Sequence, residues 1–108
     1  MQFIPIEQRQ ALIKQIYESM NDGACLILVE KNICNDNYTN EMFVDLYYDI
    51  KRRNGYTEEQ IEAKKKSLRG ILVPVKERWN VELLKDAGFK HIDAFWKCLN
   101  FSGYIAIK

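Results

Sequence analysis

The spacing of apolar positions predicts amphipathic helices in four segments of the chain. The first covers about residues 6–20, where apolar residues recur three and four positions apart, and the turn Asn21-Asp22-Gly23 ends it. The second covers about residues 41–53 and closes with three basic residues, which complement the negative end of the helix dipole. Each of these helices therefore carries an apolar face that needs a partner.

Two further helices are predicted in the second half of the chain. Thr57 and Gln60 form a capping-box pattern, so the third helix is expected over about residues 58–69. Its apolar stripe is thin, which predicts a position on the surface. The fourth helix is expected to end at Gly88, which can adopt the left-handed conformation. Its apolar side comprises Trp79, Leu83, Leu84 and Ala87.

A continuous apolar run, Ala24–Val29, lies between the first two helices. Because the run does not alternate with polar residues, it predicts a strand covered on both faces, as in a parallel sheet between two helix layers. Residues 31–40 are polar and are interpreted as a loop. Glu30 then falls at the carboxyl end of the strand, where α/β proteins bind ligands. A surface ion pair with Lys31 is the alternative role for this carboxylate.

Two shorter runs, residues 91–97 and 104–108, predict closing strands, and residues 100–103 allow the chain to reverse between them. The order helix, strand, two helices, helix, strand, strand predicts an α/β fold. All 108 residues are expected to form a single domain with a helical insertion over about residues 40–69. His91, the single histidine, stands at a strand entrance away from the ligand edge, so histidine-based catalysis is not expected.

Charge and cysteine content exclude several classes of function. Lys and Arg total 16 and Asp and Glu total 15, so general binding of polyanions is not expected. Cys25, Cys34 and Cys98 match neither a metal site nor a disulfide framework, which predicts reduced thiols and no metal. Cys25, inside the apolar run, is expected to be buried. The chain has no signal-peptide pattern and no membrane-spanning segment, so a cytoplasmic location is expected.

Several stretches together resemble a known family. Residues 83–90, LLKDAGFK, are similar to the helix end that precedes the closing strands of class I methyltransferases, which have a Rossmann-like fold. Longer stretches resemble the carboxy-S-adenosylmethionine synthases of tRNA wobble-uridine modification: Gln2-Phe3-Ile4, residues 7–12 and 14–17, Glu30-Lys31, residues 48–56 (YDIKRRNGY) and Asn100-Phe101. The resemblance covers nearly the whole chain and implies the C-terminal portion of such a methyltransferase-type fold.

The resemblance also implies a ligand and one residue that binds it. The intact enzyme would use S-adenosyl-L-methionine or its carboxylated form, held by a glycine-rich loop, which the widely spaced glycines of this chain cannot form. In the family, an arginine of the inserted helices reaches from a neighbouring subunit to the extra carboxylate, and Lys65 matches its position. Lysine offers a compact charge rather than two parallel hydrogen bonds. Lys64, Lys66 and Arg69 are alternative cations, and a solvated helical face is the other interpretation of this run.

Two functions remain open at this point, and the catalytic residues are not predicted. One is a portion of an S-adenosylmethionine-dependent transferase that is inactive on its own. The other is a non-catalytic dimerisation module derived from that fold. Both are consistent with a homodimer through the helices of residues 41–69. Direct tRNA binding by residues 51–53 is not favoured because the helix dipole explains these charges. Tyr47, Tyr48 and Tyr56 are interpreted as packing residues rather than pocket residues.

Overall fold

A computed structural model describes all 108 residues and contains four helices and four strands. In chain order these are α1 (Ile6–Ser19), β1 (Cys25–Ile33), α2 (Asn37–Arg53), α3 (Glu58–Leu68), β2 (Val75–Lys76), α4 (Glu77–Ala87), β3 (His91–Cys98) and β4 (Phe101–Ile107). The strands form one sheet in the order β2-β1-β4-β3. β1 is parallel to β2, and β4 is antiparallel to both β1 and β3. The predicted α/β class is confirmed and is compatible with the C-terminal half of a Rossmann-like fold.

The core lies between one face of the sheet and the helices α1 and α4. Gly88 ends α4 in the left-handed conformation with φ 116°, as predicted. Phe89 then packs edge-on against Tyr17 of α1, with ring centroids 5.0 Å apart. This contact joins the two helices above the sheet. The buried apolar side chains of the core are Ile13, Leu28, Leu84, Ala87, Phe89, Tyr104 and Ala106.

The opposite face of the sheet is largely uncovered, and α2 reaches it only at the carboxyl end of β1, where Tyr47 packs against Phe101. Ile27 and Val29 of β1 are 50% and 52% exposed, and Cys25 is exposed as well. The expectations that residues 24–29 are covered on both faces and that Cys25 is buried are therefore wrong for this chain. The reason is that α1 and α4 both pack on the same side. Every second side chain of β1 consequently points away from them.

The loop predicted over residues 31–40 is mostly replaced by regular structure. β1 continues to Ile33, because β2 and β4 both pair with its polar end. α2 already begins at Asn37, where the Asp36 carboxylate accepts a hydrogen bond of 2.8 Å from the Thr39 amide. Tertiary pairing thus extends the strand through residues whose local preference is against it.

The C-terminal hairpin is confirmed, with a tighter turn than expected. Only Leu99 and Asn100 connect β3 to β4, whereas the sequence suggested a connection over residues 100–103. A bulge in β3 brings Phe95 and Trp96 to the same side of the sheet, close to Gly103 of β4. Since helices leave that side largely uncovered, Trp96 is 45% exposed.

The ends of the remaining helices follow the sequence signals closely. The capping box at the start of α3 is present, with the Thr57 hydroxyl accepting from the Gln60 amide and the Gln60 side chain accepting from Thr57. α3 buries only Ile61, in agreement with its predicted surface position. The apolar side predicted for α4 is partly wrong, because Trp79 is 52% exposed and Asn80 is buried instead. None of the helices is both long enough and apolar enough to cross a membrane.

Candidate functional site

Helices α2 and α3 meet the carboxyl end of β1 and the start of β4 around a cavity of about 190 Å³. Four lysines and two tyrosines line this cavity, which we call the lysine–tyrosine pocket. Lys31 comes from β1 and Lys51 from α2, whereas Lys64 and Lys65 come from α3. The two tyrosines, Tyr47 and Tyr48, come from α2. The other six lining residues are apolar except for Gln2: Gln2, Phe3, Ile61, Leu68, Leu72 and Phe101.

The two tyrosine rings contact the ammonium groups of three of the four lysines. The Tyr47 ring lies between two cations, with Lys31 Nζ 5.2 Å and Lys51 Nζ 4.9 Å from its centroid. Lys65 Nζ lies 4.1 Å from the centroid of Tyr48. Such cation–π contacts are favourable, more so where water is partly excluded. Tyr47 also packs against Phe101 at 5.3 Å, so it combines the predicted packing role with a place in the pocket wall.

Positive charge in the pocket is only partly neutralised. Lys65 pairs with Glu62 at 2.9 Å, and this hydrogen bond raises the pKa of Lys65. None of the salt bridges of the chain includes Lys31, Lys51 or Lys64. Burial, and then the nearby charge of Lys51, lowers the pKa of Lys31. An anionic group such as a carboxylate would relieve this repulsion, so the pocket is suited to binding one.

Replacing Lys31 with methionine is expected to increase stability slightly, by less than about 1 kcal/mol at neutral pH. The folded protein holds the Lys31 proton less tightly than the unfolded chain does. Stability therefore rises as pH increases from the lowered folded-state pKa towards the usual value of 10.5. Lys31→Met should remove the contribution of Lys31 to the increase in folding stability with pH. Urea unfolding of both proteins at several alkaline pH values measures it, and an unchanged slope would contradict the expectation.

The pocket brings together some of the cations singled out in the sequence and omits others. Lys65 and Lys64 line it, whereas Lys66 and Arg69 do not. Sequence reasoning missed Lys31 as a pocket residue and assigned Lys51 to the helix dipole. Its position directly after a buried strand residue, at the ligand edge of a sheet, is the signal that could have identified Lys31.

The Glu30 side chain is buried against the first residues of the chain and is not open to a ligand. Its carboxylate pairs with the amino group of Met1 at 2.6 Å and accepts a hydrogen bond of 2.9 Å from the Gln2 amide. The Gln2 side chain in turn accepts a hydrogen bond of 3.1 Å from the Lys31 amide. The suggested surface ion pair between Glu30 and Lys31 is therefore wrong, since the Glu30 side chain is buried and directed at the first residues.

A second, larger cavity of about 340 Å³ lies between the β1–α2 loop, the start of α4 and the β3–β4 turn. Its wall includes the buried Asn32, whose Oδ1 accepts hydrogen bonds from Asn80 at 2.9 Å and from Tyr104 at 3.2 Å. Asn32 Nδ2 and Asn100 Oδ1 lack partners. Burial raises the pKa of Tyr104, which keeps this hydroxyl a neutral donor. The cavity contains none of the lysines that the sequence singled out.

The other candidates from the sequence lie apart from the lysine–tyrosine pocket. His91 is exposed at the first position of β3. The three cysteines are free thiols. No group of three or more His, Cys, Asp or Glu side chains is arranged to hold a metal ion. Arg52 of α2 forms ion pairs with Asp49 and Glu58, which neutralise much of the charge at this helix end.

Comparison with known proteins shows where similar sequences occur. No protein-family model matches the chain. Over all 108 residues the chain is 39% identical to the carboxy-S-adenosyl-L-methionine synthase of Methylococcus capsulatus and covers 45% of that protein. It is 42% identical to the enzyme of the same name from Staphylococcus epidermidis and covers 47% of it. The chain is homologous to part of the carboxy-S-adenosyl-L-methionine synthases.

The chain spans less than half the length of these relatives, and the synthase of Campylobacter jejuni, at 38% identity and 46% coverage, gives the same proportion. The match is consistent with a C-terminal portion of the synthase family, as the resemblance implied. The lysine–tyrosine pocket thus lies in a chain whose relatives are named for the synthesis of a carboxylated S-adenosyl compound.

Proposed function

We propose that the chain is the C-terminal part of a carboxy-S-adenosyl-L-methionine synthase-type transferase, and that its lysine–tyrosine pocket binds a ligand carboxylate. The observation that carries the proposal is the position of Lys65. This residue matches the family arginine that binds the extra carboxylate, and it lines a pocket with three lysines that have no acidic partner. A cytoplasmic location and a supply of carboxylated ligand for tRNA modification belong to the same proposal.

The proposed role of the pocket residues is to bind and orient. When bound, the S-adenosyl sulfonium supplies the reactive carbon, so the protein contributes position and charge. Lys65 and Lys64 would neutralise the carboxylate, and Lys31 would add a charge from the end of β1. The tyrosine rings would limit access of water, which strengthens each ion pair. The part of the relatives that this chain lacks would hold the nucleoside, and the chain alone is expected to bind S-adenosyl ligands no more tightly than about millimolar.

A chimera tests the role of Lys65 directly. In it, this chain replaces the matching part of the Staphylococcus epidermidis synthase, and calorimetry measures the dissociation constants of S-adenosylmethionine and carboxy-S-adenosylmethionine. Lys65→Met should reduce the preference for the carboxylated ligand about tenfold, the loss of roughly one charge-assisted hydrogen bond. Lys65→Arg should retain or increase it, because a guanidinium can bind both carboxylate oxygens.

Lys66→Met is the matched control, since Lys66 is the next residue of α3 and does not line the pocket. Its ligand preference should equal that of the unmodified chimera. If Lys65→Met and Lys66→Met shifted the preference equally, the effect would be one of general charge and the proposed site would be wrong.

We also propose that the chain forms a homodimer through α2. The alternative function, a non-catalytic dimerisation module, requires the same homodimer. Tyr38, Met42, Leu46 and Ile50 recur every four residues along α2, and each is at least 42% exposed. α2 buries none of its own residues. A helix with such a stripe on its solvent side is suited to pairing with an identical stripe in a two-fold dimer.

Leu46→Lys is expected to convert the dimer into a monomer, because each of the two chains then places one unpaired charge at the centre of the stripe. Light scattering after size exclusion measures the mass. Ile71→Lys is the control, since Ile71 is similarly exposed, at 58%, and lies outside α2. A monomeric unmodified chain, or a dimer that survives Leu46→Lys, would exclude this interface. Dimerisation without any ligand preference in the chimera would favour the non-catalytic module.

A further inference from the structure

The second cavity, of about 340 Å³, lies at the carboxyl end of β1, the edge of the sheet at which α/β proteins bind ligands. We call it the amide cavity, because Asn32, Asn35 and Asn100 line it. A volume of this size suits a small molecule. The amide cavity shares no lining residue with the lysine–tyrosine pocket, so the two can bind different ligands.

Two of these asparagines lie side by side in the cavity wall. Asn32 and Asn100 continue the pairing of β1 with β4 beyond Lys31 and Phe101, and the Asn32 amide donates to the Asn100 carbonyl at 2.6 Å. Directly opposite residues of an antiparallel pair place their side chains on the same face, with Cβ atoms about 5 Å apart. Asn32 is 4% exposed and Asn100 is 2% exposed. Their carboxamides are therefore neighbours in a buried part of the wall.

Each of these two carboxamides has a polar atom without a partner. Asn32 Oδ1 already accepts hydrogen bonds from Asn80 and Tyr104, so the free group of Asn32 is the donor Nδ2. The free group of Asn100 is the acceptor Oδ1. Folded proteins leave few buried polar groups unpaired, because each one loses its hydrogen bonds to water without replacement. A ligand that carries an acceptor next to a donor would pair with both.

The charged side chains of the cavity favour an uncharged ligand. Asp36 accepts hydrogen bonds from the amide and the hydroxyl of Thr39. Glu77 forms an ion pair with Lys97 and accepts a hydrogen bond of 2.8 Å from Ser102. Two carboxylates and one ammonium group leave the wall with an excess of one negative charge. A carboxylate or phosphate would be repelled here, in contrast to the lysine–tyrosine pocket.

The apolar part of the wall suits a flat ring. It includes Ile33, Phe43 and Leu99, and an aromatic side chain packs well against another ring. Leu99 has φ 51° and is the only residue other than glycine with a positive φ. A leucine rarely adopts this conformation, and backbone strain of this kind is frequent at binding sites. The strained turn between β3 and β4 holds both Leu99 and Asn100 at the cavity.

We propose that the amide cavity binds a small, uncharged molecule that carries a carboxamide on a flat ring. Asn32 Nδ2 donates to the carbonyl of the ligand, and the N–H of the ligand donates to Asn100 Oδ1. The terminal torsion of an asparagine side chain has a broad range, so rotation of the Asn100 amide turns Oδ1 from the wall towards the ligand. This site is independent of the proposed function, because neither the lysines nor an S-adenosyl group takes part.

Nicotinamide and methyl nicotinate test this recognition as a matched pair of probes. Both are uncharged and share the ring and the carbonyl, but the ester has no N–H to donate to Asn100. Titration of the 108-residue chain is followed by the backbone amide signals in NMR spectra. Nicotinamide should bind with a dissociation constant of about 1 mM, a typical affinity for so small a ligand. It should shift the signals of Cys34 and Asn35. Methyl nicotinate should bind at least tenfold more weakly, because it leaves the Asn100 acceptor unpaired.

Asn100→Leu separates ligand binding from folding. Leucine has the same branching as asparagine but no polar atom, so the variant removes an unpaired buried acceptor. Its melting temperature should rise by about 4 °C. Its affinity for nicotinamide should fall at least tenfold. Asn37→Leu is the matched control, because it makes the same substitution at an exposed residue that does not line the cavity, and its affinity should equal that of the unmodified chain.

Four outcomes would overturn the inference. Absence of nicotinamide binding would show that the two amides are satisfied by each other or by water. Equal affinities for the two probes would reduce the interaction to apolar contact. Asn100→Leu could bind nicotinamide as tightly as Asn37→Leu does. A lower melting temperature of Asn100→Leu would show that the Asn100 amide stabilises the fold and is not free for a ligand. The chimera measures a charged ligand in the other pocket, so either proposal can fail while the other holds.

Discussion

Replacing Arg9 with methionine is expected to lower the free energy of unfolding by about 3 kcal/mol, the cost of two lost hydrogen bonds from a charged donor. Arg9 is only 4% exposed. Its Nε donates to the Ile4 carbonyl at 2.8 Å, and Nη2 donates to the Val73 carbonyl at 2.8 Å. One side chain of α1 therefore connects the first residues of the chain to the segment before β2.

The loss of stability arises because the Ile4 and Val73 carbonyls remain partly buried without their donor. Exchanging a complete buried ion pair for apolar residues can be nearly neutral. Here the partners are backbone carbonyls, which stay in place and lose their donor when the guanidinium is removed. Arg53→Met is the control, because Arg53 is exposed and forms no ion pair, and its effect should stay within about 0.5 kcal/mol. Urea unfolding followed by circular dichroism measures both, and equal effects would show that the Arg9 network contributes nothing.

Replacing Gly88 with alanine is expected to destabilise the protein by about 3 kcal/mol, through backbone strain and a steric clash together. Gly88 has φ 116°, a conformation that residues with a Cβ rarely adopt. A Cβ at this position would lie 2.9 Å from both Cε1 and Cζ of Tyr17. The Tyr17 ring cannot easily move aside, because Phe89 packs on it and Lys108 Nζ lies 4.7 Å from its centroid.

Gly70→Ala separates the two contributions. Gly70 has φ 76°, and nothing lies within 4 Å of a Cβ built on it, so this variant carries the strain alone. It should lose only about 1 kcal/mol. In a Tyr17→Leu background the cost of Gly88→Ala should fall towards the same value, as expected for two residues in direct contact. Thermal and urea unfolding of Gly88→Ala, Gly70→Ala, Tyr17→Leu and the Tyr17→Leu/Gly88→Ala double variant measures these losses of stability. Equal losses for Gly88→Ala and Gly70→Ala would show that the clash is unimportant.

The chain combines a formed pocket with a sheet whose second face is largely uncovered. The lysine–tyrosine pocket forms within the chain, since its four lysines and two tyrosines come from β1, α2 and α3. The sheet that supports it is not covered, since Ile27 and Val29 remain half-exposed. The chimera examines the proposed role of the pocket.

Features encoded in a few neighbouring residues were predictable from the sequence. The capping box of Thr57 and Gln60 and the helix end at Gly88 depend on hydrogen bonds and backbone angles within one turn. The hairpin of β3 and β4 was predictable because its strands are adjacent in the chain. The family resemblance came from short stretches whose order is preserved, and the similarity of all 108 residues to part of the synthases confirms it.

Only the tertiary structure decided which sides of these elements are covered and which side chains meet. The apolar run of residues 24–29 predicts burial on both faces of its strand. Whether both faces are covered depends on how many helix layers pack on the sheet, and here one layer, formed by α1 and α4, covers one face. Lys31 and Lys51 are twenty residues apart and converge on Tyr47 because the fold brings the carboxyl end of β1 close to α2. Neither periodicity nor composition records such long-range contacts, since they depend on how whole elements pack.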